Sequence, residues 1–188
     1  GKKAVGSRWI YKIKYKPDGS LERFKARLVA KGYTQVKYKD YTHTFSPVCK
    51  LTTVRVLIAL AAAKNLSLHQ LDINNAFLHG FITEEVYMTP PPGYKHEPGL
   101  VCRLYKSLYG LKQASRQWNA EFTKYLRNLS FNQSMQDYSL FTRNNVVSGE
   151  FLVALIYVDD VLLTGNNPTE ISKVKEALHS KFTIKDLG

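Results

Sequence analysis

Long apolar runs are missing from this chain of 188 residues. Two of the short ones present, 153–158 and 161–163, are separated by a pair of acids. Both fall far below the roughly 18 residues that a membrane-spanning helix needs, so no membrane partner is expected. Cysteine is scarce as well: Cys49 and Cys102 are too few and too far apart for a disulfide framework, and no Cys or His spacing resembles a zinc site. Both thiols are expected to be buried and reduced. The first residues, Gly1-Lys2-Lys3, include neither an initiator Met nor an apolar leader, so the chain reads as a piece of something longer.

Acidic residues are the other shortage, 15 against 27 Lys plus Arg, for a formal net charge of +12. The imbalance is concentrated: the first 50 residues hold 13 of the basic side chains and 3 of the acidic ones. A basic block of that size on a folded domain suggests a polyanion, nucleic acid ahead of an anionic membrane. With 44% apolar and 22% charged residues, the chain is neither a disordered tail nor a fibre, and its length suits one domain with a core.

Residues 8–16 alternate Trp9, Tyr11, Ile13 and Tyr15 with Lys12, Lys14 and Lys16, which is the period of a strand with one basic face. Pro17-Asp18-Gly19-Ser20 is a turn. Residues 22–31 alternate again, with Phe24, Ala26, Leu28 and Ala30 opposite Lys25, Arg27 and Lys31, so the two runs predict a hairpin. A helix follows over 52–64, capped by Thr52 or Thr53, with Val54, Leu57, Ile58 and Ala61 as its buried stripe. Strands are expected over 67–73, 85–88 and 101–104, and a long helix over 113–129. Strands over 139–142 and 150–157 flank a turn at Asn144-Asn145. A last strand over 161–164 precedes a helix opened by Asn167, Pro168 and Glu170, which runs to about 180. Hairpins mixed with helices, without a βαβ rhythm, indicate an α+β fold with helices on one face of a mainly antiparallel sheet.

Two adjacent acids, Asp159 and Asp160, interrupt the apolar stretch 151–163. Burying them unpaired would cost several kcal/mol, so they either point to solvent at a turn or hold a divalent cation. Asp72 interrupts a second strand-like run just before Asn74-Asn75. An acid at the end of one strand and a pair at a hairpin turn can meet at one edge of a sheet. Two metal ions about 4 Å apart, bridged by such carboxylates, can activate a 3′-hydroxyl and stabilise a leaving pyrophosphate. The basic hairpin would supply cations for a triphosphate and a nucleic-acid backbone.

Four segments occur together in order: FKARLVAKG from Phe24, LDINNAFLHG from Leu71, YGLKQASRQW from Tyr109 and YVDD from Tyr157. In this combination the chain closely resembles the reverse transcriptase of Ty1/copia-type LTR retrotransposons, from about Ser7 to Gly188. The resemblance implies a right-hand polymerase fingers–palm unit over 1–188, with about 1–50 mainly a fingers hairpin and 51–188 mainly palm with interleaved fingers elements. Thumb, RNase H and integrase are expected to belong to the rest of a Pol polyprotein, and the setting to be an intracellular, cytoplasmic virus-like particle. The implied reaction is RNA-directed DNA synthesis: deoxynucleotidyl transfer from deoxynucleoside triphosphates to a primer 3′-hydroxyl on an RNA or DNA template. It uses two Mg²⁺ ions, with Mn²⁺ able to substitute.

Carried over by position, Asp72 and Asp159 would be the metal ligands, and Asp160 a further acid of the catalytic site. Phe77 would lie beneath the sugar of the incoming nucleotide and disfavour a 2′-hydroxyl. Tyr109, Gly110 and Lys112 would border the nucleotide, together with Arg27, Lys14 and Lys25 of the hairpin. Lys12, Lys31, Gln113 and Arg116 would contact nucleic acid. Which hairpin cation meets the triphosphate stays open, because a one-residue slip exchanges the two faces; Arg27 is the first choice and Lys14 the second. Ser115 replaces a Pro usual in the family, and Ser130 a Gly. Two rival readings are a nucleic-acid-binding remnant without activity and another palm-fold nucleotidyltransferase, such as an RNA-dependent RNA polymerase.

Overall fold

The computed structural model describes residues 2–188; Gly1, the first residue of the expected unit, lies outside the described residues. The chain forms two compact units, each drawn from two stretches of sequence: Gly1–Phe45 with Gly80–Trp118, and Ser46–His79 with Asn119–Gly188.

In the first unit, β1 (Ser7–Tyr15) and β2 (Leu21–Ala30) pair antiparallel as a two-stranded ribbon. The turn forms as its residues dictate: Asp18 Oδ1 accepts from the backbone N–H of Ser20 at 2.8 Å, and Gly19 takes φ +83°. A second pair joins β4 (Phe81–Met88) to β5 (Cys102–Lys106), and Val5 bridges to Met88 in parallel. Both strands of that pair extend beyond the ranges expected from sequence. Gln35 and Gln113, 78 residues apart, meet through Gln35 Nε2 and Gln113 Oε1 at 3.1 Å. Gln113 Nε2 donates to the Asp40 carbonyl, and Gln35 Oε1 accepts from the Lys112 backbone.

The second unit is built on a six-stranded antiparallel sheet. In sheet order its strands are β10 (Ile184–Asp186), β3 (Leu68–Ile73), β9 (Asp160–Gly165), β8 (Glu150–Tyr157), β7 (Leu140–Asn145) and β6 (Asn132–Gln133). β6 and β10 are too short to leave a periodic signal. Helix α1 spans Leu51–Ala63, α2 Ala114–Asn128 and α3 Pro168–Phe182, and the division between the units falls within α2. The fold is thus α+β, as its sequence pattern predicts.

The expectation of helices on one face alone does not hold. Leu57 of α1 packs with Val153 and Leu155 on one side of the sheet. On the other side, Arg143, the register partner of Leu152, donates to Glu170 of α3 at 2.7 Å and to the Leu129 carbonyl just past α2 at 3.2 Å. Residues 152–156 of β8 are accordingly buried without alternation, the pattern of a strand covered on both faces.

Three local expectations also give way. α1 has Lys50 at its N-cap and no side-chain cap bond; Thr53 Oγ1 instead donates to Asp137 Oδ2 at 2.6 Å. Asn144 and Asn145 belong to β7. The loop lies after them, with Asn145 Oδ1 accepting from the backbone of Val147 and Ser148, and Gly149 at φ +71°. Cys49 and Cys102 are free but only half-buried. By contrast, Asn167 caps α3 as expected, accepting from Glu170 N at 3.2 Å. Ser130, one of the two departures from the family pattern, sits at φ +65°, a conformation that a Gly would adopt without strain. In the core, the Phe182 ring meets Phe122 at 5.4 Å, Tyr125 at 5.1 Å and His79 at 5.3 Å, all edge-on.

Candidate active site

Sheet register places the acids. Asp72, near the end of β3, is the direct partner of Asp160, the first residue of β9, and Asp160 is also the partner of Tyr157 on β8. Partners directly opposite project from the same face, so the two carboxylates stand side by side with Cβ atoms about 5 Å apart. Like charges in that position destabilise a sheet unless something cationic sits between them. Gln70, two residues before Asp72 on the same face, donates from Nε2 to Asp160 Oδ1 at 3.1 Å. Asp159 occupies the two-residue loop of the β8–β9 hairpin, and its carbonyl accepts from the Ile73 N–H at 2.8 Å. The loop therefore docks on the end of β3, where Asp72 lies.

The other loop residue, Val158, has φ +58°. A β-branched residue in the left-handed region is strained, at a cost on the order of 1–3 kcal/mol. Among the described residues, no three His, Cys, Asp or Glu side chains are gathered into a group that could hold a metal ion by itself. The donors present are hard carboxylate oxygens, a set that suits Mg²⁺ when phosphate oxygens and water complete the shell.

Phe77, five residues beyond Asp72, lies in the short 3₁₀ turn Ala76–His79 and is half-buried. An open cavity of about 670 Å³ reaches Asp160 within this unit, walled by Leu51, Val54 and Ile58 of α1 and by Leu155, Tyr157 and Asp160 of the sheet. The sequence did carry a signal for it: every α1 residue except Thr52, Thr53 and Arg55 is apolar. A helix that is apolar all round needs more cover than one sheet provides.

The ribbon in the first unit settles which basic residues share a face. Register pairs Arg8 with Val29, Ile10 with Arg27, Lys12 with Lys25 and Lys14 with Arg23. All the cations predicted for this hairpin except Lys16 and Lys31, which lie past β1 and β2, therefore project from one side. The Arg27 guanidinium carbon lies 5.3 Å from the centre of the Tyr109 ring, and its buried Nε has no hydrogen-bond acceptor. An arginine held by a ring and short of an acceptor is poised for an anion.

Gly110 secures the root of the ribbon. Its φ is +89°, and a Cβ there would lie 2.2 Å from the Ala30 carbonyl oxygen, while Ala30 N donates to the Tyr109 carbonyl at 2.8 Å. Lys31 and Lys112 line one open cavity of about 500 Å³, together with Arg8 and Tyr33, which sequence reasoning passed over. Arg116 is half-buried. Gln113 requires a correction: it is fully buried, with its amide engaged by Gln35 and Asp40. It has no surface to offer nucleic acid and acts by fixing the segment 109–113.

The family model described as reverse transcriptase (RNA-dependent DNA polymerase) matches residues 1–188. The chain is 48% identical over 184 residues to the Retrovirus-related Pol polyprotein from transposon RE1 of Arabidopsis thaliana, covering 97% of this chain and 12% of that protein. It is 41% identical over 194 residues to the corresponding polyprotein from transposon TNT 1-94 of Nicotiana tabacum, covering 100% and 14%. The Transposon Ty1-ER2 Gag-Pol polyprotein of Saccharomyces cerevisiae is 30% identical over 189 residues, covering 98% and 10%. The chain thus spans about an eighth of the length of these relatives.

Proposed function

Since the chain belongs to the reverse transcriptase (RNA-dependent DNA polymerase) family, we propose that it is the fingers–palm part of a copia-type Pol polyprotein and carries the nucleotidyl-transfer site. Residues 1–50 are mainly fingers, and 51–188 mainly palm with interleaved fingers elements. The observation that carries this reading is the register pairing of Asp72 with Asp160, beside the strained loop that holds Asp159.

Asp72 and Asp159 would hold two Mg²⁺ ions, with Asp160 completing the negative field of the site. Bound there, such ions make a 3′-hydroxyl more acidic and neutralise the departing pyrophosphate. The protein's own share is placement. β3 and the β8–β9 hairpin fix the acids, and Arg27 on Tyr109 offers its guanidinium to the triphosphate, ahead of Lys14 and Lys25. Tyr109, Gly110 and Lys112 border the nucleotide, and Lys12, Lys31 and Arg116 meet the template–primer backbone. The Phe77 ring lies under the incoming sugar and disfavours a 2′-hydroxyl. The partners are an RNA or DNA template–primer, deoxynucleoside triphosphates and the remaining polyprotein, in a virus-like particle. Among the described residues, no helix is long and apolar enough to cross a membrane.

Primer extension on an RNA template, by the polyprotein segment that contains this chain, tests the reading. Asp72→Asn and Asp159→Asn are each expected to reduce extension by roughly a thousandfold, and unchanged extension would refute the assignment. Phe77→Val is expected to raise ribonucleotide incorporation while deoxynucleotide incorporation persists; equal discrimination by variant and parent removes Phe77 from the site.

A further inference from the structure

The ribbon has a second face. Tyr11 pairs with Ala26, Ile13 with Phe24, and Tyr15 with Leu21, so these side chains project opposite the cations. The face is bare: Tyr11 and Phe24 are each 75% exposed, Tyr15 60% and Leu21 50%. Trp9, at the root, is anchored by its indole N–H to the Pro92 carbonyl at 3.0 Å. An open groove of about 410 Å³ runs between Tyr11, Ile13, Phe24 and Ala26, with Lys12 and Lys25 at its walls. Exposed contiguous apolar surface of this kind marks an interaction site.

We propose that this face is a stacking platform for the unpaired bases of a single-stranded nucleic acid. Side chains two apart on a strand stand about 6.8 Å from one another, twice the roughly 3.4 Å rise per nucleotide of a stacked strand. Tyr11, Phe24 and Tyr15 alternate across the ribbon, and the small Ala26 opposite Tyr11 leaves that ring open on one side. The charge selects the partner. A ribbon one layer thick keeps Lys12, Lys14, Arg23, Lys25 and Arg27 within about 10 Å of a chain lying on the aromatic side, which is inside the screening length at about 0.1 M salt. The occupant must therefore present flat apolar surfaces on a polyanionic backbone, and an unpaired nucleotide strand has both. The inference rests on the proposed function for the class of partner and adds a surface outside the catalytic residues named there.

The test measures binding of this chain to a labelled oligothymidylate of about 12 nucleotides and to an abasic strand of equal length, across a salt series. The parent is expected to prefer the base-bearing strand about tenfold or more. The double variant Tyr11→Ala, Phe24→Ala should lose about 10- to 100-fold on that strand, keep its affinity for the abasic one, and keep its salt dependence. Lys12→Ala with Lys25→Ala should weaken both strands and lower the salt slope by about 0.7 per cation. If the parent does not distinguish the strands, or the aromatic variant binds both as the parent does, the platform is refuted while the proposed function stands. A concentration-dependent dimer abolished by the aromatic variant would assign the face to a second copy and refute it too. Binding of neither strand, in a chain that also fails primer extension in its polyprotein, refutes both readings.

Discussion

Strands β1 and β8 are of similar length and both rich in β-formers, yet one buries only Ser7 and the other is buried over five consecutive residues. Leu152 to Ile156 has cover on both faces, so its side chains need no alternation; β1 alternates from Tyr11 to Tyr15 and still leaves both faces in solvent. Alternation in sequence therefore reports that two faces differ, and does not report that either is covered. In β8 the apolar residues hold a sheet rigid so that the acids at its end keep their register. In β1 they form a surface, and the strand owes its shape to one partner strand and a turn.

The contrast breaks most visibly under truncation. Leu155→Ala or Leu163→Ala in the covered sheet is expected to cost about 2–5 kcal/mol of stability in urea melts, and Ile13→Ala in the ribbon about 0.5 kcal/mol or less. Equal losses would mean that the ribbon is covered. Gly110→Ala tests whether the ribbon is rigid at its root, where positive φ and the Ala30 carbonyl both oppose a side chain. A loss of about 2–3 kcal/mol, seen as a lower melting temperature, is expected.

Asp137 sharpens the other half. Burial pushes its pKa up, but hydrogen bonds from the Ser139 and Thr53 hydroxyls and from the Ser139 and Lys50 backbones prevail and bring it from 3.8 to about 2. A depressed pKa of this kind stabilises fully above about pH 4, and the contribution is lost as pH falls through about 2. Asp137→Ala should therefore cost about 1.5–3 kcal/mol at neutral pH, with the gap from the parent closing in melts taken toward pH 2. The smallest effect should come from Lys12→Glu, which exchanges a like-charge pair with Lys25 for an attractive one. A gain of about 0.2–1 kcal/mol in stability is expected, together with weaker binding to nucleic acid, so stability and binding would move in opposite directions.

Features whose cause lies within a few residues were legible: the hairpin from its period, the α3 cap from Asn167 and Pro168, the acids from their intrusion into apolar runs. Features set by distant partners were not. Asp137, 84 residues away, takes up the Thr53 hydroxyl that was expected to cap α1. The turn expected at Asn144-Asn145 lies just beyond those two residues: the Asn145 side chain organises the loop after it while its backbone stays in β7. The segment around Tyr109 and Gly110 was recognised as a motif, yet the burial of Gln113 depends on Gln35 and Asp40, which no local pattern connects to it. The sharing of one face by Lys12, Lys14, Lys25 and Arg27 required the strand register, which period alone leaves two ways to choose.

The hydrogen bond from Ala30 to Tyr109 has a consequence for how the molecule is made. On a ribosome adding about 5–20 residues per second, the ribbon emerges roughly 4–16 s before the segment that anchors its root. During that interval its aromatic side is exposed on a nascent chain, next to other nascent chains on the same message. The lysines along β1 and β2 would then serve before any ligand is present, since mutual repulsion keeps neighbouring ribbons from pairing edge to edge.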